Sequence, residues 1–130
     1  YPVSDLHCLI IPKRHVKDYF ELTDEEIIAC NTLIKNIKAE IENKDPSVRG
    51  FNIGTNVGKI SGQSILHCHI HLIPRREGDV ENPQGGVRSV IPLKQYYNRN
   101  RIQHTFCKII HEILNEDSNF KNNDSKNKTK

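Results

Sequence analysis

One segment of the chain carries three histidines at every second position: His67, His69 and His71. Successive side chains of a strand point to opposite faces of a sheet, so this spacing predicts that the three imidazoles share one face. The intervening apolar residues then face a core: Cys68, Ile70 and Leu72. A single histidine on a strand is commonly structural, but a buried row of three is costly to satisfy with hydrogen bonds. The row therefore favours a chemical function, since imidazole works near neutral pH as nucleophile, base, acid or metal ligand.

Two chemistries fit such a row. Zinc requires nitrogen ligands about 2.0 to 2.1 Å from one ion. On a strand, His67 and His71 are roughly 13 Å apart along the backbone, so the three rings cannot converge on one metal ion. Two of them could do so with His7 as a further ligand. The spacing favours the second chemistry, nucleophilic catalysis, in which the central imidazole of His69 attacks and its neighbours position it.

Residues 62–75 read GQSILHCHIHLIPR and resemble the signature of the histidine-triad (HIT) family, in which alternating histidines follow a Gly-Gln-Ser-like turn. Upstream, residues 6–16 resemble an earlier strand of that family, which ends in a Pro-Lys-Arg-His-like corner. Downstream, residues 78–88 resemble an extension found in members related to dinucleoside-polyphosphate hydrolases. The resemblance covers about residues 1–92 and implies the fold and activity of this family.

The resemblance implies a covalent mechanism. His69 attacks the α-phosphorus of a nucleotide and forms a nucleotidyl-histidine that water then hydrolyses. His67 orients the central ring, His71 lies toward the leaving group, and His7 packs against the triad from the neighbouring strand. No cofactor is required, although a divalent cation can accompany the substrate. Three further residues match positions that contact phosphates or leaving group in the family: Asn56, Gln63 and Ser64.

The third histidine bears on the subclass. Nucleotidyltransferase and phosphorylase relatives usually carry glutamine at the position of His71, so its presence favours hydrolysis. Residues 78–88 favour dinucleoside polyphosphates, such as diadenosine tetraphosphate, as substrates. One alternative is a hydrolase of nucleoside phosphoramidates of the AMP-lysine type. Another, from a different class, is a nucleotide- or zinc-binding regulatory protein that uses the histidines without catalysis.

The predicted fold is α+β, with an antiparallel β-sheet, a long helix packed on it and a C-terminal helix. Strands are predicted over residues 6–11 and 50–57 and through the triad. Thr23 and Glu26 form a capping-box pattern that begins the long helix, and Pro46 marks its end. The apolar stripe of that helix falls at steps of three and four: Ile27, Cys30, Ile34, Ile37 and Ile41.

The second helix is predicted over residues 95–114, which completes a HIT-like domain over residues 1–114. Residues 115–130 are polar and predict a flexible tail. The chain begins at Tyr1 without methionine, six residues before His7, and we interpret it as an N-terminally truncated domain whose ribose and base pocket lies upstream. Residues 75–92 have turn chemistry that fits either an active-site cover or a surface loop. Their arginines fit either phosphate contacts or exposed surface: Arg75, Arg76 and Arg88.

The charge and cysteine content of the chain limit the classes of binding partner and the cellular location that we expect. A net charge of +3, with nineteen Lys and Arg residues spread along the chain, predicts some attraction for polyphosphate and no nucleic-acid partner. Four cysteines without a Cys-x-x-Cys pair predict free intracellular thiols, and we expect a cytoplasmic location. No apolar run approaches 18 residues, so no membrane partner is expected. The family resemblance implies a homodimer.

Overall fold

A computed structural model describes residues 1–95, which form an α+β unit as predicted. Its antiparallel sheet has the order β1-β3-β2 and the bounds β1 (Cys8–Ile10), β2 (Val48–Gly54) and β3 (Ile70–Arg76). The long helix α1 spans Asp24–Lys44, and short 3-10 turns lie at Tyr19–Glu21, Lys59–Ser61 and Gly86–Val90. The predicted second helix and the predicted tail fall on residues outside the described range.

Helix α1 begins at the predicted capping box. The Thr23 hydroxyl accepts a hydrogen bond from the Glu26 amide at 3.3 Å, and the Glu26 carboxylate accepts one from the Thr23 amide at 2.9 Å. These bonds satisfy amides that have no partner within the helix. At the other end the Asp45 amide donates to the carbonyl oxygen of Ile41 at 2.8 Å, and Pro46 follows. No helix among residues 1–95 is long and apolar enough to cross a membrane.

The sheet packs one face on α1. The core contains residues of all three strands together with part of the helical stripe: Ile10, Cys30, Ile34, Ile41, Val48, Ile70 and Leu72. His71 and Ile73, on the other face of β3, are only half-buried. The predicted alternation of buried and exposed side chains is therefore confirmed along Ile70–Ile73, where His71 is the histidine on the exposed face.

Two strand bounds near the site differ from the prediction. β3 begins at Ile70, so His67 and His69 precede the strand, and β2 ends at Gly54 rather than at residue 57. The β2–β3 ladder stops where Gly54 faces His71, and beyond it the Thr55 hydroxyl donates to the carbonyl oxygen of His69 at 2.7 Å. A single strand carrying all three histidines was therefore a wrong prediction.

Leu72 offers a direct test of the core face. Its side chain is 0% exposed, so Leu72→Ala is expected to lower the free energy of unfolding by about 2 to 5 kcal/mol. Leu9 lies on the neighbouring strand opposite His71 and is 48% exposed, so Leu9→Ala is the matched control, with a change within about 0.5 kcal/mol. Urea unfolding measures both values. Equal losses in the two variants would contradict the assigned faces.

Candidate active site

Three imidazoles meet on the exposed face of the sheet. Nε2 of His7 lies 3.0 Å from Nδ1 of His71, within hydrogen-bonding distance. The ring of His69 stands edge-on to the ring of His71, with 5.2 Å between centroids. β1 and β3 are paired, which brings His7 to His71 across 64 residues of sequence. The structure thus places three of the four predicted catalytic histidines in one cluster.

His67 stands apart from that cluster. Its Nε2 donates to the carbonyl oxygen of Pro12 at 3.1 Å, and its ring packs on the ring of His15 with 4.6 Å between centroids. A carbonyl oxygen can only accept, so the His67 ring carries its proton on Nε2. His67 reaches His69 through its backbone: its carbonyl oxygen accepts from Nδ1 of His69 at 2.8 Å. The predicted orienting role of His67 therefore rests on the main chain in this geometry.

The same bond determines the tautomer of His69. Nδ1 must carry the proton that it donates to the His67 carbonyl, so Nε2 of the neutral ring holds a lone pair. The ring is half-buried, and Nε2 is the nitrogen that this bond leaves for chemistry. A neutral imidazole with a lone pair on an accessible nitrogen is the form that acts as a nucleophile.

The electrostatics of His71 favour a neutral ring. Burial is the main cause that lowers the pKa of His71 below its ordinary value, and positive charge on His69 and His7 lowers it further. A neutral His71 can accept from Nε2 of His7 at its Nδ1 and keep its own proton on Nε2. Because Nε2 then carries a proton, this ring presents a hydrogen-bond donor to a ligand.

Residues 63–68, which lead to His69, are held by hydrogen bonds to a neighbouring corner of the chain at residues 12–17 or within the loop itself. The Cys68 amide donates to the carbonyl oxygen of Val16 at 2.8 Å, and the side-chain amide of Gln63 donates to that of Lys17 at 2.6 Å. The carbonyl of Gln63 also accepts from the Gly58 amide at 2.8 Å. These bonds replace a sheet ladder along residues 63–69 and fix the approach to β3.

The predicted substrate-binding residues have different surroundings. Gln63 is only 6% exposed and its amide holds the loop, which gives it a structural role here; its contact with substrate stays a prediction. Ser64, the next residue, is exposed. Asn56 is half-buried and lines a cleft that also contains His7 and His71.

This cleft has a volume of about 410 Å³ and extends from His71 along β3 to Arg75. Part of its wall is the 3-10 turn at Gly86–Val90, through Val87 and Val90. Part of the segment at residues 75–92 therefore lines the candidate site, one of the two predicted alternatives. The cleft thus joins two histidines of the cluster, His7 and His71, to the polar side chains of Asn52 and Asn56.

The two arginines of β3 are engaged with carboxylates. Arg75 donates two bonds to Asp79, at 2.7 and 2.8 Å, and one to Asn52 at 2.6 Å, and this ion pair lowers the pKa of Asp79. Arg76 bonds to Asp45 at 2.6 Å. The pKa of Asp45 falls to about 2, mainly through its bonds with Ser47 and then with Arg76. Arg75 thus holds the turn that follows β3, and Arg76 joins the end of β3 to the end of α1.

Two residues were missed by the sequence reasoning. Thr55 holds the carbonyl of His69, and His15 packs on the ring of His67. In the sequence, Thr55 stands out only by its position beside Asn56, and His15 only as part of the Pro-Lys-Arg-His-like corner. Among residues 1–95, no group of three or more His, Cys, Asp or Glu side chains is arranged to hold a metal ion.

Comparison with known proteins identifies the family. The HIT domain model matches residues 1–78, more than half of the chain. The chain belongs to the HIT family. Within it, an uncharacterized HIT-like protein of Methanocaldococcus jannaschii is 42% identical over 81 residues, which cover 62% of this chain and 60% of that protein.

Two relatives in the HIT family have named activities. The bis(5'-nucleosyl)-tetraphosphatase (asymmetrical) of Schizosaccharomyces pombe is 36% identical over 60% of this chain and 42% of its own length. The adenosine 5'-monophosphoramidase of Candida albicans is 32% identical over 58% of this chain and 52% of its own length. The HIT chain described here therefore spans about half the length of these relatives.

Solved HIT structures share the fold. A hypothetical histidine triad nucleotide-binding protein of Sulfolobus tokodaii superposes with a TM-score of 0.56 at 36% identity, covering 60% of this chain and 52% of that one. A HIT family protein of Bacillus anthracis gives a TM-score of 0.58 at 27% identity, covering 88% of this chain and 74% of that one. These matches confirm the predicted α+β fold and the resemblance of the motifs.

The pKa of His71 is expected to be measurable by NMR titration of its ring. Burial and neighbouring charge disfavour protonation, so the midpoint is expected below the ordinary value of 6.5. Because the folded protein then binds this proton less readily than the unfolded chain, the contribution of His71 to stability is fully present above pH 6.5 and declines below it. In the His7→Ala variant the pKa of His71 is expected to rise but to stay below 6.5, because burial is the larger cause of the lowering. A midpoint at or above 6.5 in the unaltered protein would contradict this electrostatic account.

Proposed function

We propose that this HIT protein hydrolyses a nucleotide through a covalent intermediate on His69. The observation that carries the proposal is the bond from Nδ1 of His69 to the carbonyl oxygen of His67, at 2.8 Å. It leaves a lone pair on Nε2 of His69, beside the ring of His71. A nucleophile and a hydrogen-bond donor thus stand next to each other on one face of the sheet.

The reaction has two displacements. In the first, the lone pair on Nε2 of His69 forms a bond to the α-phosphorus, and the bond from phosphorus to the leaving group breaks with its electron pair. In the second, water attacks phosphorus and loses a proton to the solvent, the bond from phosphorus to Nε2 breaks, the electron pair returns to Nε2, and the nucleoside monophosphate is released. Two smaller barriers then replace one large barrier. The bond from Nδ1 to the His67 carbonyl stabilises the positive charge that His69 acquires in the intermediate.

His71 serves the leaving group in this proposal. Its Nε2–H donates to the departing atom, where negative charge develops as the bond to phosphorus breaks. A neutral donor suits a polyphosphate, which departs as a stable anion and needs no full proton transfer. An amine requires a full proton, which only the protonated ring can supply, and burial makes that form of His71 rarer.

This difference favours dinucleoside polyphosphates such as diadenosine tetraphosphate as substrates, as does the resemblance of residues 78–88. The tetraphosphatase relative supports the same choice, whereas the monophosphoramidase relative supports nucleoside phosphoramidates as the second candidate. Turnover of diadenosine tetraphosphate and of AMP-lysine, compared side by side, decides between them. A homodimer, a cytoplasmic location and a divalent cation carried by the substrate belong to the proposal. A non-catalytic binding protein, with or without zinc, would turn over neither substrate.

His69→Ala is expected to lower turnover by roughly three orders of magnitude or more, because no other group supplies the covalent step. The fold is expected to survive, since the ring is half-buried and outside the core cluster. Product formation by chromatography gives the rate, and circular dichroism with a thermal melt checks the fold. Full activity in a folded His69→Ala variant would end the proposed mechanism.

His71→Ala is expected to lower turnover more for a substrate with a poor leaving group than for one with a good leaving group. Turnover of AMP-lysine is expected to fall by about a hundredfold or more, the size of a lost acid–base group. Turnover of adenosine 5'-(p-nitrophenyl phosphate), whose phenolate departs unaided, is expected to fall by less than about tenfold. Equal losses for the two substrates would contradict the assignment of His71 to the leaving group.

A further inference from the structure

The nitrogen of His7 that faces away from His71 also has a partner. The backbone amide of Val3 donates to Nδ1 of His7 at 3.2 Å, across a turn of the chain. The family resemblance predicts only a packing role for His7 and none for Val3. Together with the 3.0 Å contact between His7 and His71, this bond makes a continuous chain of hydrogen bonds that ends at the cleft.

The turn at residues 3–7 is held against β3. Its amide at His7 donates to the carbonyl oxygen of Ser4 at 3.1 Å, and the Ser4 hydroxyl donates to that of Pro74 at 3.0 Å. The guanidinium of Arg76 donates to the carbonyl oxygen of Asp5 at 3.3 and 3.4 Å. Leu6 takes a left-handed conformation with φ of 65°, which a non-glycine residue adopts only where its surroundings require it.

Arg76 is itself fixed by the bond to Asp45 at 2.6 Å, at the end of α1. The position of the Val3 amide is therefore determined by contacts with β3 and, through Arg76, with the end of the helix. These contacts hold the turn so that the Val3 amide points at the ring of His7.

We propose that the backbone amide of Val3 is a positioning group that fixes the direction of the hydrogen bonds reaching His71. An amide can only donate, so Nδ1 of neutral His7 must accept and the ring proton lies on Nε2. That proton is donated to Nδ1 of His71, whose own proton then lies on Nε2. The reversed order would place a proton on Nδ1 of His7, directly opposite the Val3 amide.

The catalytic consequence rests on the proposed function. With the order fixed, His71 presents a donor to the departing atom in every productive complex. Without the Val3 amide, the His7 ring can turn or change tautomer, and a fraction of His71 rings presents a lone pair instead. The loss is expected to be that of one hydrogen bond and to depend on the leaving group.

Val3→Pro removes this amide hydrogen, and Val3→Ala keeps it while removing the same side chain from the cleft. Relative to Val3→Ala, Val3→Pro is expected to lower kcat for AMP-lysine by about three- to tenfold, with KM changed less than twofold. Turnover of adenosine 5'-(p-nitrophenyl phosphate) is expected to stay within about twofold. Equal kcat values for AMP-lysine in the two variants would overturn the proposal, as would equal losses on both substrates.

Nitrogen NMR of histidine-labelled full-length chain tests the same point without activity. In the unaltered protein the rings of His7 and His71 are expected to carry the proton on Nε2, and the ring of His69 on Nδ1. Arg76→Gln, which loosens the turn without touching a histidine, is expected to give His7 a mixed signal even if Val3→Pro fails to fold. A proton on Nδ1 of His7 in the unaltered protein would overturn the proposal. Absence of turnover with the expected ring signals would instead count against the proposed function.

Discussion

The hydrogen bond from Nδ1 of His69 to the carbonyl oxygen of His67 is the interaction on which the candidate site depends. It leaves the lone pair of the His69 ring on Nε2, and it fixes one edge of that ring, which lies beside the ring of His71. The bond is possible because residues 67–69 lie outside the strand β3, so the His67 carbonyl is available to a side chain. The Thr55 hydroxyl likewise donates to the carbonyl oxygen of His69. Backbone groups, more than side-chain pairs, thus determine the chemistry of the imidazoles.

Side chains alternate between the two faces of a strand, so the sheet has one face for the core and one face for the candidate site. Its buried face stabilises the unit through apolar packing on α1, while its open face carries imidazoles that contribute little to that core. Substitutions in the cluster can therefore alter chemistry while the fold persists. The neutral state of His71 follows from the same arrangement, because half-burial and two neighbouring rings disfavour a further positive charge.

Local patterns predicted what depends on nearby residues. The capping box at Thr23, the extent of α1 and the two faces around Leu72 follow from spacing alone, and the motifs identified the HIT family. What the local patterns did not predict depends on contacts between distant parts of the chain. His67 and Gln63 bond to backbone groups 55 and 46 residues away, so neither the pairing of His67 with His15 nor the loop-holding role of Gln63 could be read from spacing.

The most direct measurement is the chemical identity of the intermediate. The protein is mixed with radiolabelled diadenosine tetraphosphate, quenched within one turnover under alkaline conditions that preserve phosphohistidine, digested and analysed by mass spectrometry and comparison with phosphohistidine standards. The account predicts a nucleotidyl group on Nε2 of His69, since Nδ1 is occupied by its bond to the His67 carbonyl. A nucleotidyl group on Nδ1 or on another residue, or turnover with no covalent species at any time, would contradict it.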